Sequence, residues 1–308
     1  MTTPLKAGVA GAGVFGGFHA RKYASLPGVQ LAAVYDVHAE RAQKLAGELS
    51  VRAFTDFAAF LEAAADVVTV ASPAVAHAAE ARAALEAGRH VYVEKPIADQ
   101  IDQAHALVRL AQEKQLVLAA GHQEREVFQA MGLLGLPERP LRMEAVRRGV
   151  RSDRNLDVSV VLDLMIHDLE IILHLVHSPV ESIDAVGVSV LTPTEDIANA
   201  RVRFANGCVA NVTASRISPE KMRKIRVFQS DCYLSLDYQE QAGQIHWREG
   251  MSIQRAEVEV DKDEPLKLEL AAFIASVEHG HDPAVTGQQG TAALELALEI
   301  TRIIHAQG

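Results

Sequence analysis

Short apolar runs alternate with stretches of helical period over the first part of the chain. Residues 5–10, 29–35, 51–54, 66–71, 90–93 and 116–120 read as strands; residues 17–26, 39–49, 56–63, 74–87 and 101–114 read as helices, with Gly88 placed to close one of them. Strand and helix in alternation with short links predict a parallel, doubly wound sheet. The pattern changes after Gly121. Residues 131–140 are Gly/Pro-rich and read as a link or a short helix end, and strands then dominate: 141–148, 180–190, 198–205, 208–215, 224–230 and 233–238. Asn206-Gly207 between two alternating runs predicts a hairpin, and Ser230-Asp231 marks a second turn. Residues 266–279 and 291–305 close the chain as amphipathic helices.

One stretch inside the second half breaks this rhythm. Residues 156–177, LDVSVVLDLMIHDLEIILHLVH, have helical length and carry no Gly, Pro, Lys or Arg. On a wheel at about 100° per residue, Asp163, His167, Glu170 and His174 fall on one narrow face and apolar residues cover the rest. A helix apolar nearly all round is buried. Solvent edges elsewhere in the chain carry Lys, Arg and Gln, so an edge of Asp, Glu and His alone points to a functional stripe.

Charge and cysteine usage narrow the partners. The 308 residues carry a net charge of −10, which argues against nucleic acid or an anionic membrane as the main partner. Cys208 and Cys232 lack C-x-x-C spacing, so neither a disulfide framework nor a cysteine zinc site is expected. No apolar run reaches the length of a membrane span, and a cytoplasmic location is the expectation.

The first strand ends in Gly11-Ala12-Gly13-Val14-Phe15-Gly16, which fits G-x-G-x-x-G with a strand before it and a helix after it. Gly11 permits the tight turn, Gly13 lets the backbone approach a pyrophosphate, and Gly16 lets helix and strand pack closely. Val14 and Phe15 complete the loop at the helix start, where backbone N–H groups favour phosphate. Asp36 follows at the end of the second strand, where a dinucleotide fold places the acid that binds the adenosine ribose. Its carboxylate repels a 2′-phosphate, which predicts NAD over NADP. The expected architecture is α/β: an N-terminal Rossmann domain, doubly wound around a parallel sheet, over 1–122, and a C-terminal α+β domain with a mainly antiparallel open sheet over 123–308. Ligands of such sheets sit at the carboxyl ends of the strands. Those ends also hold Ser72-Pro73, Glu94-Lys95-Pro96 and Gly121-His122, with His77 one turn into the helix after Pro73; His77 fits a packing role as well as a site role.

Arginines concentrate between 139 and 154, where Arg139, Arg142, Arg147, Arg148, Arg151 and Arg154 face only Glu144 and Asp153. Singly, each reads as a solvated strand edge. As a cluster leading into the 156–177 stretch they suit an anionic, phosphorylated or nucleotide-linked substrate, with Arg148 and Arg151 as candidates.

Taken together, GAGVFG, Glu94-Lys95-Pro96 and Asp163-x-x-x-His167 resemble the Gfo/Idh/MocA oxidoreductases over essentially the whole chain. The resemblance implies that Lys95 is the active-site lysine, that Asp163 and His167 are the catalytic pair, and that Glu94 lies near the nicotinamide ribose. It makes Arg125, in the crossing segment Gly121–Arg125, a substrate contact, although Glu126-Val127-Phe128 departs from the usual continuation. The run from Arg154 to Asp168 is most similar to the branch that oxidises the 3-hydroxyl of UDP-N-acetylhexosamines. Homodimers or homotetramers built on the open sheet face are implied as well.

Oxidation of a secondary hydroxyl needs a base for the proton and an acceptor for the hydride. His167 suits the first role, with Asp163 to orient its ring and Lys95 to stabilise negative charge on the oxygen. Whether Lys95 or His167 takes the proton stays open. The rivals are a dehydrogenase of a free sugar, inositol or sugar acid, and a catalytically silent NAD-binding sensor. A metal site on the stripe is disfavoured because Asp163 and His174 lie about 16 Å apart along a helix axis.

Overall fold

The computed structural model describes residues 3–64, 66–130, 140–150, 158–258 and 264–306. The chain divides into two compact units, Met1–Gln123 with Asp263–Thr291, and Glu124–Lys262 with Ala292–Gly308.

The first unit alternates β1 (Leu5–Ala10), α1 (Val14–Ser25), β2 (Val29–Tyr35), α2 (Ala39–Leu49), β3 (Arg52–Phe54), α3 (Phe57–Ala64), β4 (Val67–Val70), α4 (Ala74–Glu86), β5 (His90–Glu94), α5 (Ile101–Glu113) and β6 (Leu118–Gly121). The strands lie in the order β3-β2-β1-β4-β5-β6, and every ladder is parallel. Continuous apolar runs such as VVTV form β4 because helical crossovers cover both faces of such a sheet, and β4 is buried along its whole length. Gly88 turns the chain after α4 at φ +76.

One late element belongs here too. The helix Pro265–His279 buries Leu270, Phe273 and Ile274 against Ala7, Val9, Tyr23 and Tyr92. A boundary by chain order at 122/123 therefore misplaces this segment. Its period announces an apolar face, but period carries no information about which core that face covers.

The second unit holds α6 (Glu124–Ala130), β7 (Arg142–Arg148), a π-helical turn (Val161–Met165), α7 (Ile166–Val176), β8 (Val180–Val188), β9 (Ile197–Phe204), β10 (Val209–Ser215), β11 (Met222–Phe228), β12 (Cys232–Asp237), β13 (Ala242–Glu249) and β14 (Ser252–Val258); the late helix above is α8, and α9 (Gly287–His305) begins in the first unit and ends in the second. Its sheet runs β14-β13-β12-β11-β7-β10-β9-β8, with β7 and β10 parallel and the other ladders antiparallel. The Asn206-Gly207 hairpin forms as its sequence requires, with Gly207 at φ +86 and Arg203 opposite Val209. Strands β13 and β14 escape a pattern reading because β14 is exposed on nearly every residue and so shows no alternation. The Gly/Pro-rich link over 131–139 lies outside the described residues, as do Leu156 and Asp157.

The acidic and histidine stretch is not one regular helix. Ser159 caps its start, its Oγ accepting the Val161 N–H at 3.1 Å. The Ile166 N–H then bonds the Val161 carbonyl five residues back, which inserts a residue into the turn before α7. A wheel of constant pitch therefore does not carry across Met165. Past that point α7 lies against β7 and β10, with Ile166, Leu169, Ile172 and Leu175 buried.

Candidate active site

In the first unit the site residues gather where the parallel strands end. Gly11 sits at φ +95, and a Cβ there would come within 2.6 Å of Ala71 O and Ser72 N. A Cβ on Gly16 would lie 1.7 Å from Gly11 O, so glycine is obligatory where α1 meets the loop. Gly13 differs: a Cβ there would meet nothing within 4 Å. Gly13 is the N-cap of α1 and no side chain caps it, while Val14 and Phe15 stand about half exposed around the loop. Open space beside uncapped first-turn amides fits a pyrophosphate. Asp36 closes the loop from β2, its carboxylate accepting the Ala12 N–H at 2.9 Å and the His38 N–H at 2.8 Å.

The next two strand ends are tied together by His77. Its Nδ1 lies 2.7 Å from Pro96 O and its Nε2 2.8 Å from Ser72 O. Both oxygens only accept, so both contacts are hydrogen bonds when the ring carries two protons. His77 thus links the Ser72-Pro73 turn to the Glu94-Lys95-Pro96 turn. Ser72 donates to Glu80 Oε2 at 2.6 Å, and Pro73 caps α4. Glu94 is buried, with Oε1 2.7 Å from His19 Nε2. Burial alone would raise its carboxyl; the bond to His19 outweighs this and holds it below the usual range. His19 went unnoticed in the sequence because nothing marks a histidine on the buried face of α1. Lys95 is half-buried at the end of β5, its N–H 3.3 Å from Glu94 Oε2.

In the second unit the stripe resolves into ion pairs. His167 Nδ1 lies 2.7 Å from Glu124 Oε2, a contact short of a linear hydrogen bond. Glu124 Oε1 accepts Arg147 Nη1 at 2.7 Å. Arg147 also grips Asp168 through Nε and Nη2, at 3.0 and 2.9 Å. Burial would raise the Glu124 carboxyl, but the charges of His167 and Arg147 hold it well below the usual range. Asp163 is half-buried in the π-helical turn. Burial pushes the Glu170 carboxyl up to about 7 against the pull of Arg125, with which it forms a buried ion pair. Burial, helped by Arg125 and His177, lowers His174 to about 4.

These pairings revise two readings of the sequence. Arg125 has a side chain 3% exposed and is committed to Glu170, so a substrate contact through it would require that buried pair to open. Among the described residues the arginine cluster does not form one cationic patch. Alternation along β7 turns Arg147 inward beside Met143 and Ala145 and leaves Arg142 and Arg148 exposed; Arg139, Arg151 and Arg154 lie outside the described residues. Glu124, Arg147 and Asp168 form a buried cluster against His167 that the motifs did not mark. Their signal was a charged residue at an inward position: Arg147 in an alternating strand, and Asp168 in an otherwise apolar helix. Among the described residues no group of three or more His, Cys, Asp or Glu could hold a metal ion, and no helix is long and apolar enough to cross a membrane.

Comparison with known proteins decides the assignment. The model described as "Oxidoreductase family, NAD-binding Rossmann fold" matches residues 5–122, and the "GFO/IDH/MocA C-terminal domain" model matches residues 138–235. The chain belongs to the Gfo/Idh/MocA family. As a Gfo/Idh/MocA protein it is an oxidoreductase of CH–OH groups, and its first unit binds a nicotinamide cofactor. A UDP-N-acetylglucosamine 3-dehydrogenase of Acidithiobacillus ferrooxidans is 37% identical over 98% of both chains. A solved structure of that dehydrogenase superposes with a TM-score of 0.93 at 36% identity, covering 99% of each chain. A myo-inositol 2-dehydrogenase of Thermotoga maritima is 27% identical over 95% of this Gfo/Idh/MocA chain and 94% of its own.

Proposed function

We propose that this protein oxidises a secondary hydroxyl of a sugar with NAD, and that the hydroxyl is the 3-OH of a UDP-N-acetylhexosamine. The observation that carries the substrate class is the full-length likeness to the Acidithiobacillus ferrooxidans dehydrogenase.

The glycines of the 11–16 loop and the uncapped amides of α1 hold the pyrophosphate. Asp36 accepts from the adenosine ribose, and its charge disfavours a 2′-phosphate, which selects NAD over NADP. Ser72, Pro73, His77 and Glu94 shape the remainder of the cofactor site. A bound nicotinamide supplies the hydride acceptor. His167 takes the hydroxyl proton, and Lys95 donates a hydrogen bond to the same oxygen as negative charge develops on it. Asp163 positions the sugar or the imidazole. Arg148 and Arg151 serve the substrate diphosphate.

The test is a cofactor-reduction screen of NAD and NADP against UDP-N-acetylglucosamine, free N-acetylglucosamine and myo-inositol. Turnover of the UDP-sugar with NAD is expected, with Lys95→Ala and His167→Ala each losing at least about 100-fold in kcat. Turnover of a free sugar or inositol but not of the UDP-sugar would move the protein to a free-polyol dehydrogenase. Tight NAD binding without reduction of any substrate would make it a sensor.

A further inference from the structure

We propose that Glu124 is the positioning residue for His167: it holds a negative charge on Nδ1, so that Nε2 is the atom that takes the proton and the resulting imidazolium is stabilised. This rests on the reading of His167 as the base.

The argument begins with charge. Arg147 and Asp168 are each 2% exposed and already form a complete bidentate pair, so Arg147 needs no second carboxylate. Glu124 nevertheless brings one, on a side chain 9% exposed, and aims its two oxygens in different directions. Oε1 goes to Arg147 and Oε2 to His167 Nδ1. An ion removed from water costs several kcal/mol unless it is matched. Counted over the buried groups, Arg147, Asp168 and Glu124 sum to one negative charge, and an imidazolium at His167 cancels it. The cluster is therefore electrically complete in the state that follows proton abstraction, which is the state a base should favour.

The surroundings do not reverse this balance. On α6, Arg125 is paired with Glu170 of α7, whose carboxyl burial raises to about 7, so the pair is only partly balanced near neutral pH. Arg223 of β11 lies opposite Arg147 of β7; the residue is exposed overall, yet burial and the Arg147 charge lower its guanidinium against the pull of Glu124 and Asp168, so it offsets part of the cluster's negative charge without meeting His167. Arg147 also stacks over the Tyr238 ring, 5.9 Å from the guanidinium. Asp163 precedes α7 in the π-helical turn, four residues before His167. The imidazole–carboxylate contact is close but not aligned, as catalytic hydrogen bonds often are before substrate binds. The charges of His167 and Arg147 together outweigh burial and hold the Glu124 carboxyl well below the usual range, so it faces Nδ1 as a carboxylate.

The experiment is Glu124→Gln, which keeps the shape and an acceptor for Arg147 and removes the charge. With UDP-N-acetylglucosamine and NAD, kcat/KM should fall about 10- to 1000-fold. The acid limb of its pH profile should move about one unit lower, because the base loses its stabilising charge. The NAD dissociation constant should stay within about twofold. A rate loss without a shift of the limb, or a shift without a loss, would overturn the proposal. If His167→Ala retains turnover, the base reading itself fails; if His167→Ala is inactive while Glu124→Gln keeps the wild-type profile, this inference alone fails. Should Glu124→Gln not fold, or the UDP-sugar not turn over, an NMR titration of His167 in the wild-type protein decides. Its imidazolium must persist above the ordinary range near ~6.5, and titration at or below that range refutes the proposal.

Discussion

Arg147 and Asp168 meet through two parallel hydrogen bonds of 3.0 and 2.9 Å, deep inside the second unit. Burial opposes the guanidinium charge, but Asp168 and Glu124 outweigh it and raise Arg147 above its ordinary value. The pair anchors a strand, β7, to the helix that carries His167. Asp168→Ala would leave Arg147 with a single carboxylate partner, Glu124. Loss of a buried partner of this kind costs about 3–5 kcal/mol, to be read from denaturant unfolding. A loss below about 1 kcal/mol would show that the pair is not structural.

Gly13 and Gly16 should fail in different ways. Gly16→Ala places a Cβ 1.7 Å from Gly11 O, so the loop must distort; loss of both stability and cofactor affinity is expected. Gly13→Ala places a Cβ in open space. The variant should unfold within about 1 kcal/mol of the wild type and yet bind NAD at least about tenfold more weakly, because the added methyl occupies the approach of the pyrophosphate. Thermal melts with and without NAD, beside calorimetric titration, separate the two outcomes.

Asp36 carries the cofactor preference. Asp36→Ala removes the ribose acceptor and the charge that opposes a 2′-phosphate, and also the acceptor for the Ala12 and His38 amides. The NAD dissociation constant should rise about tenfold while that for NADP rises less or falls, as one lost charged hydrogen bond predicts. An unchanged NAD to NADP ratio would remove Asp36 from the selectivity argument.

Asp196 should set part of the acid sensitivity of the second unit. Its carboxylate accepts the N–H groups of Val190, Leu191 and Thr192 and the Thr192 hydroxyl. Burial would raise it, but the amides of Leu191, Val190 and Thr192 win and lower it to about 2 from 3.8. A depressed acid contributes stability that is present above its unfolded value and is lost as pH falls through the folded one. Unfolding free energy should therefore decline between about pH 4 and pH 2, and Asp196→Ala should flatten that limb while costing about 2–3 kcal/mol at neutral pH. A variant whose acid limb matched the wild type would refute this.

Much of this molecule was legible before folding was considered. The glycine loop, Asp36 and the strand ends could be read in order because each depends on backbone geometry within a few residues. Gly16 must be small against Gly11, and Asn206-Gly207 must turn, whatever surrounds them. The apolar runs of β1, β2 and β4 and the alternation of β9 are local in the same sense. The nearly exposed β14 carried no such signal.

By itself, then, the sequence determined the parallel first sheet and the cofactor loop, because period and turn chemistry are properties of neighbouring residues; His167 stood out through the resemblance of Asp163-x-x-x-His167 to a family motif, since the wheel that grouped it breaks at Met165. Tertiary structure alone decided that α8 returns to the first core and that Arg147 faces inward to Asp168 and Glu124. It also decided that Arg125 is held by Glu170. These are pairings of charges and surfaces far apart in the chain, and a buried charge is defined by the partner that neutralises it. That partner becomes known only when strand, helix and loop are packed together.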